Sequence, residues 1–239
     1  MTLIARGPHL EAMQKNGVTL LMGDEKRVAH PFCTDDPAEA GHQDYVIIML
    51  KAHSLPGIVE TVQPLLGPET AVVTGVNGIP WWYFYRLEGP WCDYQLESVD
   101  PGGKLWERIG PERAIGCVVY PSCEIVEPGV IRHIQGNRFM LGEPDGSKSD
   151  RVMALSKALT SVGLKAPVRT KIRDDIWLKL WGNVSFNPVS VLTLATLDQI
   201  TADEGTRGVI HKIMTEAHLV ATRLGVRFPV DVDKRIDWA

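Results

Sequence analysis

The chain is poor in cysteine. It has four in 239 residues, Cys33, Cys92, Cys117 and Cys123, with no Cys-x-x-Cys pair and no histidine cluster near them. That usage argues against a zinc site and against a disulfide framework, and fits free thiols in a reducing cytoplasm. No apolar run approaches the roughly 20 residues that cross a bilayer. The opening stretch MTLIARGPHLEAM lacks the long apolar core of a secretion signal. A basic excess is missing too: 25 Lys and Arg stand against 29 Asp and Glu, a formal charge of −4, whereas nucleic-acid binders carry a basic footprint. A cytoplasmic protein with neither a nucleic-acid nor a membrane partner is expected. What is present is ordinary globular composition, 44% hydrophobic and 23% charged, enough for one large or two modest cores.

Short apolar runs alternate with helical stretches in the first third. MTLIA reads as a strand. GPHLEAMQKNG reads as a helix, with Pro8 suited to its first turn and Gly17 to its end. DYVIIML (44–50) is a continuous apolar run, as expected of a strand buried on both faces of a parallel sheet. LPGIVETVQPLLG predicts a helix, and TAVVTGVNG (70–78) a second buried strand that ends in a turn. This alternation predicts a parallel α/β sheet. From Arg113, β-branched runs punctuated by Pro and Gly predict further strands and a hairpin. SDRVMALSKALTSVGL predicts a helix capped by Ser149 and stopped by Gly163. Beyond Asp174 the pattern is helical. The expected fold class is α/β: a Rossmann-like parallel-sheet domain over residues 1–170, then an all-helical domain over 171–239.

The stretch DDIWLKLWGNVSFNP (174–188) carries the chemistry. Lys179, Asn183 and Asn187 recur every four residues, so on a helix they fall within an arc of about 80°. Trp177, Leu180, Trp181 and Val184 fill the broad apolar remainder. A helix apolar on most sides is buried, so its polar stripe faces either solvent or a cleft. The pattern alone leaves both open.

Taken with MTLIARG, MLKAHS and GVNG, in that order along the chain, this helix resembles the ketopantoate reductase (2-dehydropantoate 2-reductase) family. The resemblance covers most of the chain, and the lysine-asparagine helix is its most specific part. It implies an N-terminal Rossmann-type domain and a C-terminal helical domain for substrate binding and homodimer formation. It also implies NADPH-dependent reduction of a small-molecule keto acid, 2-dehydropantoate to pantoate, in pantothenate biosynthesis. Two departures stand out. The chain has no G-x-G-x-x-G loop of the kind that holds a dinucleotide pyrophosphate at a helix N-terminus. It also stops at RIDWA, where family members continue with a serine and a glutamate that hold substrate. An interior piece of a reductase is therefore expected, with the Rossmann-like domain incomplete at its start and the helical domain at its end. A reductase of a related 2-keto acid, or a non-catalytic remnant, are the alternatives.

By the same resemblance Lys179 is the general acid, and Asn183, Asn187 and Asn77 bind substrate. Arg6, Lys51 and Asn77 bind cofactor. Each has a plainer reading: Lys51 as a surface lysine after a strand, Asn77-Gly78 as a turn, and Arg6 as a loop arginine. An arginine after this strand accommodates the 2′-phosphate of NADP, where an acidic residue would bind the ribose hydroxyls of NAD. The aromatic run PWWYFYRLEGPW (80–91) either lines a substrate mouth or belongs to the core. No metal ligand is read among His53, His133, His211 and His218.

Overall fold

The computed structural model describes residues 1–238. The chain divides into two compact units. One holds residues 1–76 and 80–170; the other holds residues 77–79 and the chain from Lys171 onward.

The first unit begins with strand β1 (Thr2–Ile4), helix α1 (Gly7–Asn16), β2 (Val18–Met22), β3 (Glu25–Ala29) and β4 (Phe32–Thr34). Helix α1 has Pro8 in its first turn and stops at Gly17, as expected. Gly17 has φ 76°, and a Cβ there would lie 2.6 Å from the Ala29 carbonyl oxygen, so both backbone and packing demand glycine. Next come β5 (Gln43–Ile48), the short helix α2 (Val59–Val62), β6 (Leu66–Thr74), α3 (Lys104–Arg108) and β7 (Ala114–Val119). Strands β8 (Ser122–Glu127), β9 (Val130–Gln135) and β10 (Phe139–Gly142) follow, and helix α4 (Asp150–Ser161) completes the unit.

Three sheets result. The main one has the order β10-β7-β6-β5, with β5, β6 and β7 parallel and β10 antiparallel to β7. Strands β1 and β4 form a separate parallel pair. The third sheet, β3-β2-β9-β8, joins two hairpins through a parallel β2/β9 pairing. The core of the main sheet sets Ala71, Val73, Ile115, Cys117 and Leu141 against Val152 and Leu155 of α4. Helix α4 is capped by Ser149, whose hydroxyl accepts the Val152 amide at 3.3 Å. Beside that cap, buried Glu143 accepts both Arg151 Nε (2.8 Å) and Arg151 Nη2 (2.6 Å). A paired, desolvated carboxylate leaves an orphaned guanidinium when neutralised. Glu143→Gln is therefore expected to cost about 1–3 kcal/mol, read as a shift of the urea midpoint at unchanged slope.

Three expectations need correction. The 44–50 run is strand only as far as Ile48, and it is buried on one face. Val46 and Ile48 are covered, whereas Ile47 is 47% exposed. The stretch after Lys51 is mostly 3-10 turns, Ala52–Ile58 and Gln63–Leu65, around the single turn of α2. Pro56 and Pro64 explain this, since each removes an amide donor and disfavours α geometry in the residue before it. The sheet is also not purely parallel. By contrast β6 is buried as expected, with Ala71, Val72 and Val73 each 1% exposed. The aromatic run resolves into core at its start: Trp81, Trp82 and Tyr83 are 1%, 1% and 0% exposed, and Trp82 Nε1 donates to Thr74 Oγ1 at 3.4 Å.

The second unit is helical: α5 (Ile172–Thr193), α6 (Leu197–Ala202), α7 (Glu204–Arg223) and α8 (Val232–Asp237). Helix α5 continues through Pro188, with Phe186 and Val189 on either side of it held in the core. That core gathers Trp181, Phe186, Val189, Ile200, Ile210, Met214 and Ile236. No helix among the described residues is long and apolar enough to cross a membrane.

Candidate active site

The first unit contains a cavity of about 590 Å³. Thr2, Leu3 and Ile4 of β1 form one wall, and Tyr45 through Leu50, from β5 and the residues after it, form another. Side chains alternate across a strand, so a cavity lined by every residue of a run lies along the strand's edge. The pairing agrees: among the described residues β1 pairs only with β4, and β5 only with β6. Arg6 comes two residues after β1, at the N-terminus of α1, and is exposed. Lys51 comes directly after Leu50 and is exposed as well. The two cations therefore stand at the ends of the segments that wall the same cavity. Such positions, beyond the carboxyl ends of strands, are where open α/β sheets hold ligands. Tyr45, on the β5 wall, donates from its hydroxyl to the Arg151 carbonyl at 2.8 Å. Burial, foremost, and the neighbouring Asp44 charge push its phenol above the usual tyrosine range.

A dinucleotide fits these residues in part. Two exposed cations suit the anionic end of such a cofactor, while the chain offers no glycine-rich loop for the pyrophosphate. Among the described residues no group of three His, Cys, Asp or Glu could hold a metal ion.

In the second unit, Lys179 and Asn183 are half-buried and Asn187 is exposed, all on the expected stripe of α5. Ile172 and Ile176 lie within the same arc and are 1% and 7% exposed. The ammonium thus rises from a side of the helix that excludes much of its water. Trp181, about 200° further round, is 0% exposed and anchors the opposite side. Val184, expected in the covered remainder, is 39% exposed, because only the sides of α5 that meet packed neighbours are buried. Asn77, exposed on a turn completed by Gly78 at φ 91°, groups with this helical unit although it follows β6 in sequence.

One residue absent from the sequence reading is Arg235 of α8. Its guanidinium lies against α5 at Gly182, in the space a Cβ would take. The signal for it was Gly182 itself: a glycine inside a helix costs about 0.5–1 kcal/mol relative to alanine, so it marks a close approach.

Both halves of the chain match known family models. Residues 1–146 match "Ketopantoate reductase PanE/ApbA", and residues 171–238 match its C-terminal domain. A 2-dehydropantoate 2-reductase of Mesorhizobium japonicum is 52% identical over the whole chain, which spans 73% of that relative's length. Among solved structures, a protein from Ralstonia solanacearum assigned as a ketopantoate reductase superposes with TM-score 0.95 at 38% identity, over 99% of this chain and 74% of that one. A 2-dehydropantoate 2-reductase from Geobacter metallireducens shares the fold at 22% identity and TM-score 0.82, over 99% of this chain and 73% of that one. With the lysine-asparagine stripe in place on its long helix, the chain belongs to the ketopantoate reductase family.

Proposed function

We propose that this chain reduces 2-dehydropantoate to pantoate with NADPH, within pantothenate biosynthesis. Membership of the family makes it an oxidoreductase of 2-keto acids. The observation that carries the finer reading is the half-buried stripe of Lys179 and Asn183, extended by Asn187, on α5. The bound nicotinamide supplies a hydride to the keto carbon. Lys179 donates a hydrogen bond to the keto oxygen, offsets the negative charge that grows there, and delivers its proton. Partial burial strengthens that interaction, because less water screens it. Asn183, Asn187 and Asn77 orient the substrate through neutral amides, which donate and accept without changing the charge balance.

The first unit serves the cofactor and the second the substrate. Lys51 and Arg6 hold the cofactor's anionic groups, with Arg6 on the 2′-phosphate that separates NADPH from NADH. Removing a charge-assisted hydrogen bond loses about 1.5–3 kcal/mol. Arg6→Glu is therefore expected to raise the Kd for NADPH about tenfold or more while leaving NADH nearly unchanged. Quenching of the seven tryptophans measures both; equal losses for the two cofactors would remove Arg6 from the 2′-phosphate. The proposal as a whole is tested with a panel of 2-keto acids, following reduced-nicotinamide absorbance. Ketopantoate is expected to give the highest kcat/KM. A clear preference for another keto acid would shift the assignment to a related reductase.

A further inference from the structure

The carboxyl ends of β5 and β6 meet at one glycine. The Gly75 amide donates to the Ile48 carbonyl at 3.0 Å, so the pairing of the two strands continues one residue past Thr74. This brings Gly75 beside Met49. A Cβ on Gly75 would overlap Met49 Sδ, and would lie 2.7 Å from Met49 Cε and 2.9 Å from Cγ2 of Val119, the last residue of β7. The thioether thus lies over the glycine backbone, in the space a side chain would take, with β7 on its far flank. Met49 is nonetheless 50% exposed. One side of the group is seated and the other is open.

Its neighbours share that condition. Side chains alternate across a strand, so Met49 projects on the same side as Ile47. Ile47, Leu50 and Ile4 are 47%, 45% and 43% exposed. All four line the cavity of about 590 Å³. A single exposed apolar side chain needs no explanation, but a group gathered round one cavity marks a ligand groove. Polar groups stand at its edge. Met49 precedes Lys51 by two residues, and Gly75 precedes Asn77 by two, a span of at most about 7 Å. Lys51 and Asn77 are the groups given to the cofactor above, and Asn77 also serves the substrate. The part of the cofactor that reaches Met49 is therefore the ring that carries the hydride.

Hydride leaves a nicotinamide from one face of a flat ring. The opposite face needs a partner that is apolar, lies flat and exchanges no proton. A thioether meets all three conditions, and sulfur makes favourable contacts with aromatic rings. We propose that Met49, seated over Gly75, is the floor on which the nicotinamide ring rests, and that position 75 is glycine to hold the thioether flat. This rests on the cofactor reading given above. It separates the group that receives the ring from Arg6 and Lys51, which take the anionic parts.

The test compares NADPH with 2′-phospho-ADP-ribose, which lacks the nicotinamide, in equilibrium binding followed by tryptophan fluorescence. Met49→Ala is expected to weaken NADPH roughly 3–30-fold and to leave the fragment unchanged. Gly75→Ala, which keeps Met49 but pushes it off its seat, is expected to lose the same preference. The displaced group is the free end of a flexible side chain, so the fold should survive, and thermal unfolding checks this. Met49→Leu, close in volume, should retain most of the preference. If NADPH keeps its full advantage over the fragment in both Met49→Ala and Gly75→Ala, the ring rests elsewhere and the proposal is wrong, with the reductase reading intact. An unaltered chain that binds NADPH no more tightly than the fragment also overturns it. If the advantage is present in the unaltered chain and lost in both variants, yet no keto acid is turned over, the reductase reading fails and the Met49 floor stands.

Discussion

Replacing Lys179 by alanine is expected to lower kcat by about 10²–10⁴-fold, the usual worth of a positioned general acid. The Kd for NADPH should change little, because Lys179 sits on α5 whereas the two cations assigned to the cofactor, Arg6 and Lys51, belong to the other unit. The loss falls on kcat because the ammonium's interaction grows as negative charge develops on the keto oxygen, so it favours the transition state over bound substrate. Arginine at the same position should recover little. It can donate to the oxygen but does not release its proton. Steady-state kinetics with a tryptophan-quenching titration of NADPH measure both quantities. Turnover within a few-fold of the unaltered chain would take Lys179 out of the mechanism.

Replacing Trp181 by alanine is expected to destabilise the helical unit by about 3–5 kcal/mol, as for other fully buried aromatics. Trp181 is 0% exposed, and its Nε1 donates to the Met214 carbonyl at 2.7 Å. Its ring meets Phe228 at 4.3 Å and His218 at 5.6 Å. Removing it opens a cavity among Phe186, Ile210, Met214 and Ile236. Urea unfolding followed by far-UV circular dichroism reads the change. A loss below about 1 kcal/mol would mean the cluster closes over the gap, contrary to the dense packing expected of a protein interior. The variant also separates stability from chemistry, since Trp181 and Lys179 lie on opposite sides of one helix.

The long helices were legible from the residues. Apolar spacing marks α5 and α7, and Ser149 and Gly17 bound α4 and α1 as capping chemistry dictates. Strand β6 announces itself as a run of small and β-branched apolar residues buried on both faces. Of the third sheet, the β8/β9 hairpin was foreseen from the runs after Arg113, and the β2/β3 half was not. Its strand β3, EKRVA, is exposed throughout and carries almost no hydrophobic pattern. It is a strand because β2 pairs with it across the two-residue Gly23-Asp24 turn. Gly23, with φ 56°, was the available clue. The β2/β9 pairing joins segments more than a hundred residues apart, and no local pattern encodes that. The same logic divides the site. The Lys179 stripe is periodic within one helix, so spacing reveals it. Arg235 is set by α8 packing on α5, with only the glycine at 182 to hint at the contact.

Product stoichiometry decides whether this chain reduces its keto acid through Lys179. Purified protein is mixed with ketopantoate and NADPH, and the cofactor consumed is compared with the pantoate formed. One pantoate is expected for each NADPH oxidised, at a rate that all but vanishes in Lys179→Ala. Oxidation of NADPH without pantoate, or a rate that does not depend on Lys179, would overturn the assignment of Lys179 as the proton donor.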